Sequence, residues 1–478
     1  MSISVEKIDL NILNMHTRFP FKYGIASLVA LPHLFVRARV NVDGKTEIGL
    51  AAEGLPPKWF TKNPDAPFES DLDEMLTVIQ NACDIALHSD AENSVFDLWQ
   101  TIYAKQRAWA KTTAYPPLLW SFGVSMIERA VIDAFCRAKG ATFAQAVKEN
   151  ALGIRLADIH SELHGNTPGD LLPHAARRLI TVRHTVGLAD PLTDEDIADE
   201  DRVNDGLPQS LAANIEAYQL THLKIKLCGD AEQDLARLRQ IADLMPDQCA
   251  FTLDGNEQYT EVEPFRKLWN TIQDDTVLSS FMEGLIFVEQ PLHRDMALSA
   301  TVKVVLTDWT DRPPMIIDES DGALDSATQA LDCGYVGTSH KNCKGIFKGI
   351  ANACLIAHRQ QRDPSGTYVL SSEDLANVGP VALLQDLAVL AVLGVDHSER
   401  NGHHYFAGLD MYPETIQKQV LAHHSTLYRQ HARGFPILNV HNGTLNVDSV
   451  VEAPFGYGFE LDTLQFTPLA DWTIDELA

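Results

Sequence analysis

The chain has 478 residues, about three average domains' worth, and can bury a large core without disulfides or structural metal. Hydrophobic residues make up 45% and charged residues 22%, ordinary globular usage that excludes a disordered chain, a collagen and a coiled coil. Lysine plus arginine number 38 against 65 acidic residues, and the net charge of −27 repels phosphate backbones and anionic lipid, so neither nucleic acid nor a membrane is an expected partner.

The seven cysteines, Cys83, Cys136, Cys228, Cys249, Cys333, Cys343 and Cys354, are odd in number and form no C-x-x-C pair, which fits a reducing cytoplasm. Met1 to Leu10 contains Glu6 and Asp9 and lacks the basic start of a secretion signal. The longest apolar run, Leu387 to Val395, is nine residues, far short of the ~18 that suggest a membrane span.

In chain order, Val36 to Val42 alternates apolar and polar residues, and Asp43-Gly44 follows as a hairpin turn. From Phe68 to Lys148 apolar residues recur every three or four positions, as in Ile127, Ala130, Val131, Ala134 and Phe135, with Gly140 as a helix stop. Gly153 to Arg178 and the acidic run Asp190 to Asp205 read as an elaborated boundary and a loop. Short apolar strands then alternate with helical spacing: Ile180–Val186, His222–Leu227, Ala250–Leu253, Leu285–Val288, Met315–Ile317, Tyr335–Ser339, Tyr368–Leu370 and His404–Leu409. Such alternation demands parallel pairing, and eight units close into a (β/α)8 barrel. An open doubly wound sheet is the rival, but Val186-Gly187-Leu188 is no phosphate-binding turn. Phe435 to Asp462, with Asn442-Gly443 as a turn, reads as a tail returning to the N-terminal module. The expected organisation is therefore α/β: an N-terminal α+β cap over 1–178, the barrel over 179–415, and a C-terminal segment over 416–478 that completes the cap.

In such a barrel the chemistry sits where the strands end. The second strand ends in Lys224-Ile225-Lys226, the third in Asp254 with Asn256, the fourth in Glu289, the fifth in Asp318-Glu319, the sixth near Lys341 and the seventh at Glu373. From Lys226 onward these ionisable groups stand 23 to 35 residues apart, the length of one βα unit, so they recur in phase with the fold. Asp254, Glu289 and Asp318 would converge as hard oxygen ligands, which suits octahedral Mg²⁺. Lys224 and Lys226, two apart on a strand, share a face. Lys226 is the general-base candidate, its pKa lowered by its ammonium neighbour and the metal, with Lys341 across the cavity.

Lys224-Ile225-Lys226, Asp254-Gly255-Asn256, Glu289-Gln290-Pro291, Asp318-Glu319-Ser320 and a sixth-strand lysine, in that order, resemble the enolase superfamily, in the muconate-lactonizing branch of its mandelate racemase and muconate lactonizing enzyme group. The resemblance extends to Gly49 to Glu53, to the helix around Glu128 to Ala138, and to Pro454 to Glu460. It implies that Asp254, Glu289 and Asp318 hold Mg²⁺, that Lys226 and Lys341 are the acid and base pair, that Lys224 tunes Lys226, and that Glu319 orients a lysine. Glu373 either touches substrate or Lys341, or simply caps a helix. The implied reaction is abstraction of the α-proton of a small carboxylate through an enediolate, by a racemase or epimerase or by a cycloisomerase. The alternatives are a dehydratase acting by β-elimination, and a metal-binding barrel without turnover. The resemblance also implies a homo-oligomer.

The sixth strand departs from the pattern. Thr338 to Gly345 is not an apolar strand ending in one lysine; Lys341 fits best when counted from Gly334, with Lys344 or His340 as the other residues that could point inward. Phe19 to Gly24 and Pro56 to Phe60 resemble two loops that close over ligand, which makes Phe21, Tyr23 and Trp59 candidate substrate contacts; plain packing of cap on barrel is the other reading. Cys228 reads as packing, and His403-His404 and His423-His424 as surface or helix residues.

Overall fold

A computed structural model describes residues 1–23, 26–245 and 249–477, apart from the side chains of Tyr23 and Ala26. The chain opens with three antiparallel strands, β1 (Ile3–Tyr23), β2 (Ala26–Val42) and β3 (Lys45–Gly54). Asp43 and Gly44 between β2 and β3 have φ of 52° and 84°, the left-handed pair that a tight hairpin with right-twisted strands requires. Phe19 to Lys22, expected as loop, belongs to β1: pairing breaks between His16 and Phe21, around Pro20, which has no N–H to give the ladder, and resumes with Phe21 opposite Leu28. Pro56 to Phe60 is likewise no open loop, because Pro57 starts the short helix α1 (Pro57–Thr61).

Helices α2 (Phe68–Leu87), α3 (Val95–Ala110) and α4 (Pro117–Lys139) cover the sheet. α4 starts on Pro117 and stops at Gly140, whose φ of 61° ends the helix as expected. Every residue from Leu118 to Cys136 is buried, because this helix lies between the cap sheet and the barrel; most of its side chains are apolar, and Glu128, Arg129 and Asp133 find partners in the elements around it. Asp133 accepts Leu50 N–H from β3 and the Tyr457 hydroxyl from the tail, which ties three distant segments together. β3 lies so close to α4 that a Cβ on Gly49 would stand 1.9 Å from the Ala130 carbonyl oxygen. Gly49→Ala is therefore expected to lower the unfolding free energy measured in urea by about 1–3 kcal/mol or more, since backbone rather than a flexible side chain must give way; an unchanged value would show that the two elements can slide apart.

Eight parallel strands follow among the described residues: β4 (Leu179–Val186), β5 (His222–Lys226), β6 (Ala250–Asp254), β7 (Leu285–Glu289), β8 (Met315–Ile317), β9 (Gly337–His340), β10 (Val369–Ser372) and β11 (His397–Arg400). Their spatial order is β10-β9-β8-β7-β6-β5-β4-β11. The seam between β10 and β11 is bridged by side chains: Ser398 Oγ donates to Ser372 O at 3.3 Å, and Arg183 of β4 reaches Ser371 and Ser372. The fold is a (β/α)8 barrel with an N-terminal cap.

The eighth strand is a correction. It is His397–Arg400, not His404–Leu409; His403 and His404 are buried in the helix Gly402–Tyr405. His-Ser-Glu-Arg has no apolar residue, so hydropathy does not mark it as a strand. It is buried because the barrel interior supplies partners to its charges.

β12 (Tyr428–Gln430) and β13 (Pro436–Leu438) pair with each other. β14 (Thr444–Asn446) adds antiparallel to β4 after the Asn442-Gly443 turn, and β15 (Thr467–Pro468) pairs with β1. The tail thus returns to the N-terminal sheet by way of the barrel. Among the described residues no helix is long and apolar enough to cross a membrane.

Candidate active site

Parallel register assembles the site. Lys226 pairs with Asp254, Asp254 with Glu289, and Glu289 with Ile316, two residues before Asp318. Four strand ends thereby bring their ionisable residues to the same rim. All of Lys224, Lys226, Asp254, Glu289, Asp318, Glu319, Lys341 and Glu373 are buried.

Lys224 Nζ stands among four carboxylates, at 3.0 Å from Asp254, 2.7 Å from Glu289, 2.6 Å from Glu373 and 3.0 Å from Glu399. Burial acts to lower this ammonium, and the four acids overcome it, so its pKa lies well above the ordinary lysine value. Lys226 donates to Asp254 Oδ2 at 2.6 Å. Burial and then Asp254 and Glu373 push Glu289 well above the usual carboxylate range; among the described residues the Lys224 ammonium, 2.7 Å away, pairs with it as an ion and no aligned hydrogen bond meets either oxygen. For Asp318 burial acts upward, but Lys341, Lys344 and Lys224 win and hold it well below that range.

The pleat sorts the side chains of the sixth strand. Ser339 points inward to Asp318, whereas His340 points outward against Gly349 and bonds Asn342. Lys341 and Lys344 both reach the Asp318 carboxylate, Lys344 at 2.7 Å and also on the Asp318 carbonyl at 2.8 Å. Lys341 lines the cavity, with its ammonium 4.7 Å from the centre of the Trp59 ring.

That cavity lies between the rim and the cap. Lys224, Lys226, Asn256, Asp318, Lys341 and Glu399 form its polar wall, and Phe21, Leu28, Pro56, Trp59, Leu375 and Ala376 its apolar one. Phe21 also stacks on Tyr405 at 4.0 Å. The Tyr23 side chain lies outside the described residues. Asn256 donates to Glu319 Oε1 at 3.3 Å, and burial, then Asp318, Glu257 and Asp254, push the Glu319 carboxyl to about 7. Glu373 faces Arg183, Ser371 and Lys224 rather than the cavity.

No protein-family model matches the chain. An L-Lys-D/L-Arg epimerase of Methylococcus capsulatus (strain ATCC 33009 / NCIMB 11132 / Bath) is 27% identical over 159 residues, 30% of this chain, and the match spans 39% of that relative's length. A mandelate racemase/muconate lactonizing protein from Herpetosiphon aurantiacus superposes with a TM-score of 0.60 at 16% identity, over 96% of this chain and 99% of that one. A dipeptide epimerase from Enterococcus faecalis V583, complexed with Mg and the dipeptide L-Leu-L-Tyr, does so with a TM-score of 0.56 at 14% identity, over 84% and 92%. The chain has the enolase superfamily fold, in its mandelate racemase and muconate lactonizing enzyme form.

The enolase superfamily fold implies Mg²⁺, and the donors present fit it in kind. Asp254, Glu289 and Asp318 are hard oxygen donors on neighbouring strands, among the described residues no imidazole or thiolate stands against them, and Glu289 is a buried carboxylate paired with the Lys224 cation. As the side chains stand, Asp318 turns to its two lysines, and among the described residues no three acidic, histidine or cysteine groups close on one point. Lys224 supplies the positive charge that Asp254 and Glu289 share.

Several neighbours of the site escape a sequence reading. Glu399 binds Lys224, Thr185 and Asn401, and Asp374 and Asn401 line the cavity beside it. Glu399 does stand 26 residues after Glu373, one more βα unit, so the spacing was available as a signal where hydropathy was not. Gln290 stands in the Glu289-Gln290-Pro291 motif, but its bond, a side-chain oxygen accepting Asp318 N–H at 2.8 Å, shows only in the fold.

Proposed function

We propose that the protein is a racemase or epimerase that moves the α-proton of a small carboxylate between Lys226 and Lys341. One observation carries this reading. Both amines line one cavity, and they come from β5 and the end of β9, four positions apart in a ring of eight strands and thus on opposite walls. A carbon held between them can lose a proton to one face and regain it from the other.

In this mechanism Lys226 and Lys341 alternate as base and acid. Asp254, Glu289 and Asp318 would hold Mg²⁺, and the ion would supply positive charge to the carboxylate of a substrate whose α-proton is removed. Lys224 keeps the acids neutralised, and Glu319 with Asn256 holds the rim between Asp254 and Asp318. Phe21 and Trp59 of the cap cover the substrate and keep water from the carbanion.

The epimerase among the relatives and the dipeptide complex support a dipeptide as the first probe. Incubating L-Lys-L-Arg and L-Lys-D-Arg with the protein and Mg²⁺ in D₂O is expected to give the opposite epimer with deuterium at the arginine α-carbon. Deuterium uptake without inversion, or release of a 2-keto acid by elimination, would overturn the reading. Dialysis against EDTA is expected to stop the exchange and added Mg²⁺ to restore it; exchange indifferent to the chelator would remove the metal from the scheme.

A further inference from the structure

The cap helix α4 reaches into the barrel at one place that the mechanism above does not use. Glu128 is buried, and its carboxylate accepts two backbone amides, Phe347 N–H at 2.7 Å on Oε1 and Ile346 N–H at 3.0 Å on Oε2. Ile346 and Phe347 open the long helix Ile346–Arg362, and the first amides of a helix have no partner within it. A carboxylate there is held by both hydrogen bonds and the helix dipole. Gly345, with φ of 103°, packs against the same carboxylate: a Cβ on it would stand 3.1 Å from Glu128 Oε2.

The clamped amides lie just past the turn that carries the sixth-strand amine. Lys344 N–H donates to Lys341 O at 2.9 Å and Gly345 N–H to Asn342 O at 3.0 Å, so Lys341 to Gly345 form one closed turn between the end of β9 and the clamp. The cap thus meets this segment through Trp59 on the Lys341 ammonium and through Glu128 on the first two amides of the helix that follows the turn. Lys226 has no such support, since it sits within β5 and is fixed by the sheet.

We propose that Glu128 is a positioning residue for Lys341, a cap carboxylate that anchors the 341–345 turn and so sets where the Lys341 amine stands against Asp318 and the cavity. The proposal rests on reading Lys341 as one of two proton-transfer groups. A purely structural role would slow both faces of the reaction alike, whereas a displaced Lys341 affects one face.

Glu128→Gln keeps the volume but replaces one acceptor oxygen with an NH₂ that opposes a backbone N–H. With L-Lys-L-Arg and L-Lys-D-Arg as probes in D₂O, E128Q is expected to slow α-proton exchange ~10- to 100-fold for the same epimer that Lys341→Ala silences, the scale of a displacement of about 1 Å, and to leave the other epimer within about threefold. Equal slowing of both epimers would overturn the proposal. A second measurement needs no turnover: acetic anhydride at a single pH, with peptide mapping, is expected to acylate Lys341 several-fold faster in E128Q than in the wild type, with Lys226 unchanged. Unchanged Lys341 reactivity in a folded E128Q would also overturn it. If the wild-type protein exchanges neither probe, the racemase reading fails while the acylation result still decides Glu128. Glu128→Asp, which keeps the charge but draws the oxygens back, gives the same comparison should E128Q not fold.

Discussion

Lys341→Ala is expected to lower epimerisation by about 10²–10⁴-fold, the range for loss of a positioned proton-transfer group, while one epimer still exchanges its α-proton through Lys226. The fold should survive, because Asp318 keeps Lys344 at 2.7 Å and the Ser339 hydroxyl. Lys226→Ala is expected to give the mirror result, silencing the other epimer. The pair of variants, followed by proton NMR on each epimer in D₂O, tests the two-wall geometry directly. Loss of exchange from both epimers in each variant would argue for a single base. Lys344→Ala belongs in the same series: its ammonium bonds the Asp318 and Ser339 carbonyls and lies outside the cavity lining, so its loss should spare the one-sided pattern. A one-sided loss in Lys344→Ala, with Lys341→Ala unaffected, would transfer the role to Lys344.

Lys224→Met should destabilise the protein by about 3–5 kcal/mol, the cost of removing one partner from a buried ionic cluster. Four carboxylates contact this ammonium. Of these, Glu373 retains Arg183 and Asp254 retains Lys226, while Glu289 is left with no cation against it. The sign with pH follows from the acids. A carboxyl whose pKa in the fold is raised above its unfolded value costs stability at high pH; the cost fades as pH falls through the raised folded value and is gone below the unfolded one. Glu289 is already raised, and loss of Lys224 raises it further, so the deficit of the variant should be largest near pH 8 and smaller near pH 4. Urea unfolding at both values measures this. Added Mg²⁺ is expected to return part of the deficit at pH 8, because it would answer the same oxygens; a deficit below about 1 kcal/mol at every pH would mean that the cluster relaxes without its central cation.

Much of this was legible along the chain because two periodicities are local. The strands from Ile180 to Ile317 show as short apolar runs, and the ionisable residues that end them recur once per βα unit, a covalent spacing that folding does not alter. Hydropathy misled where burial is electrostatic: His397–Arg400 is a strand with no apolar side chain, held inside by Lys224, Thr185 and the seam serines, and with it went Glu399 and Asn401. Pro20 similarly suggested a loop in what is a strand with a local break in pairing.

Composition, spacing and the five motifs determined by themselves that the protein is a capped (β/α)8 barrel whose acids and lysines gather at one rim. Only the tertiary structure decided which of Lys341, His340 and Lys344 faces the cavity, that Lys224 is the common cation of four acids, and that Glu128, more than two hundred residues away in the chain, accepts the first amides of the helix that follows Lys341. The physical reason is the same in each case. Side-chain type and order are covalent facts, but direction and partner depend on pleat, register and the approach of distant backbone, which no stretch of the chain contains on its own.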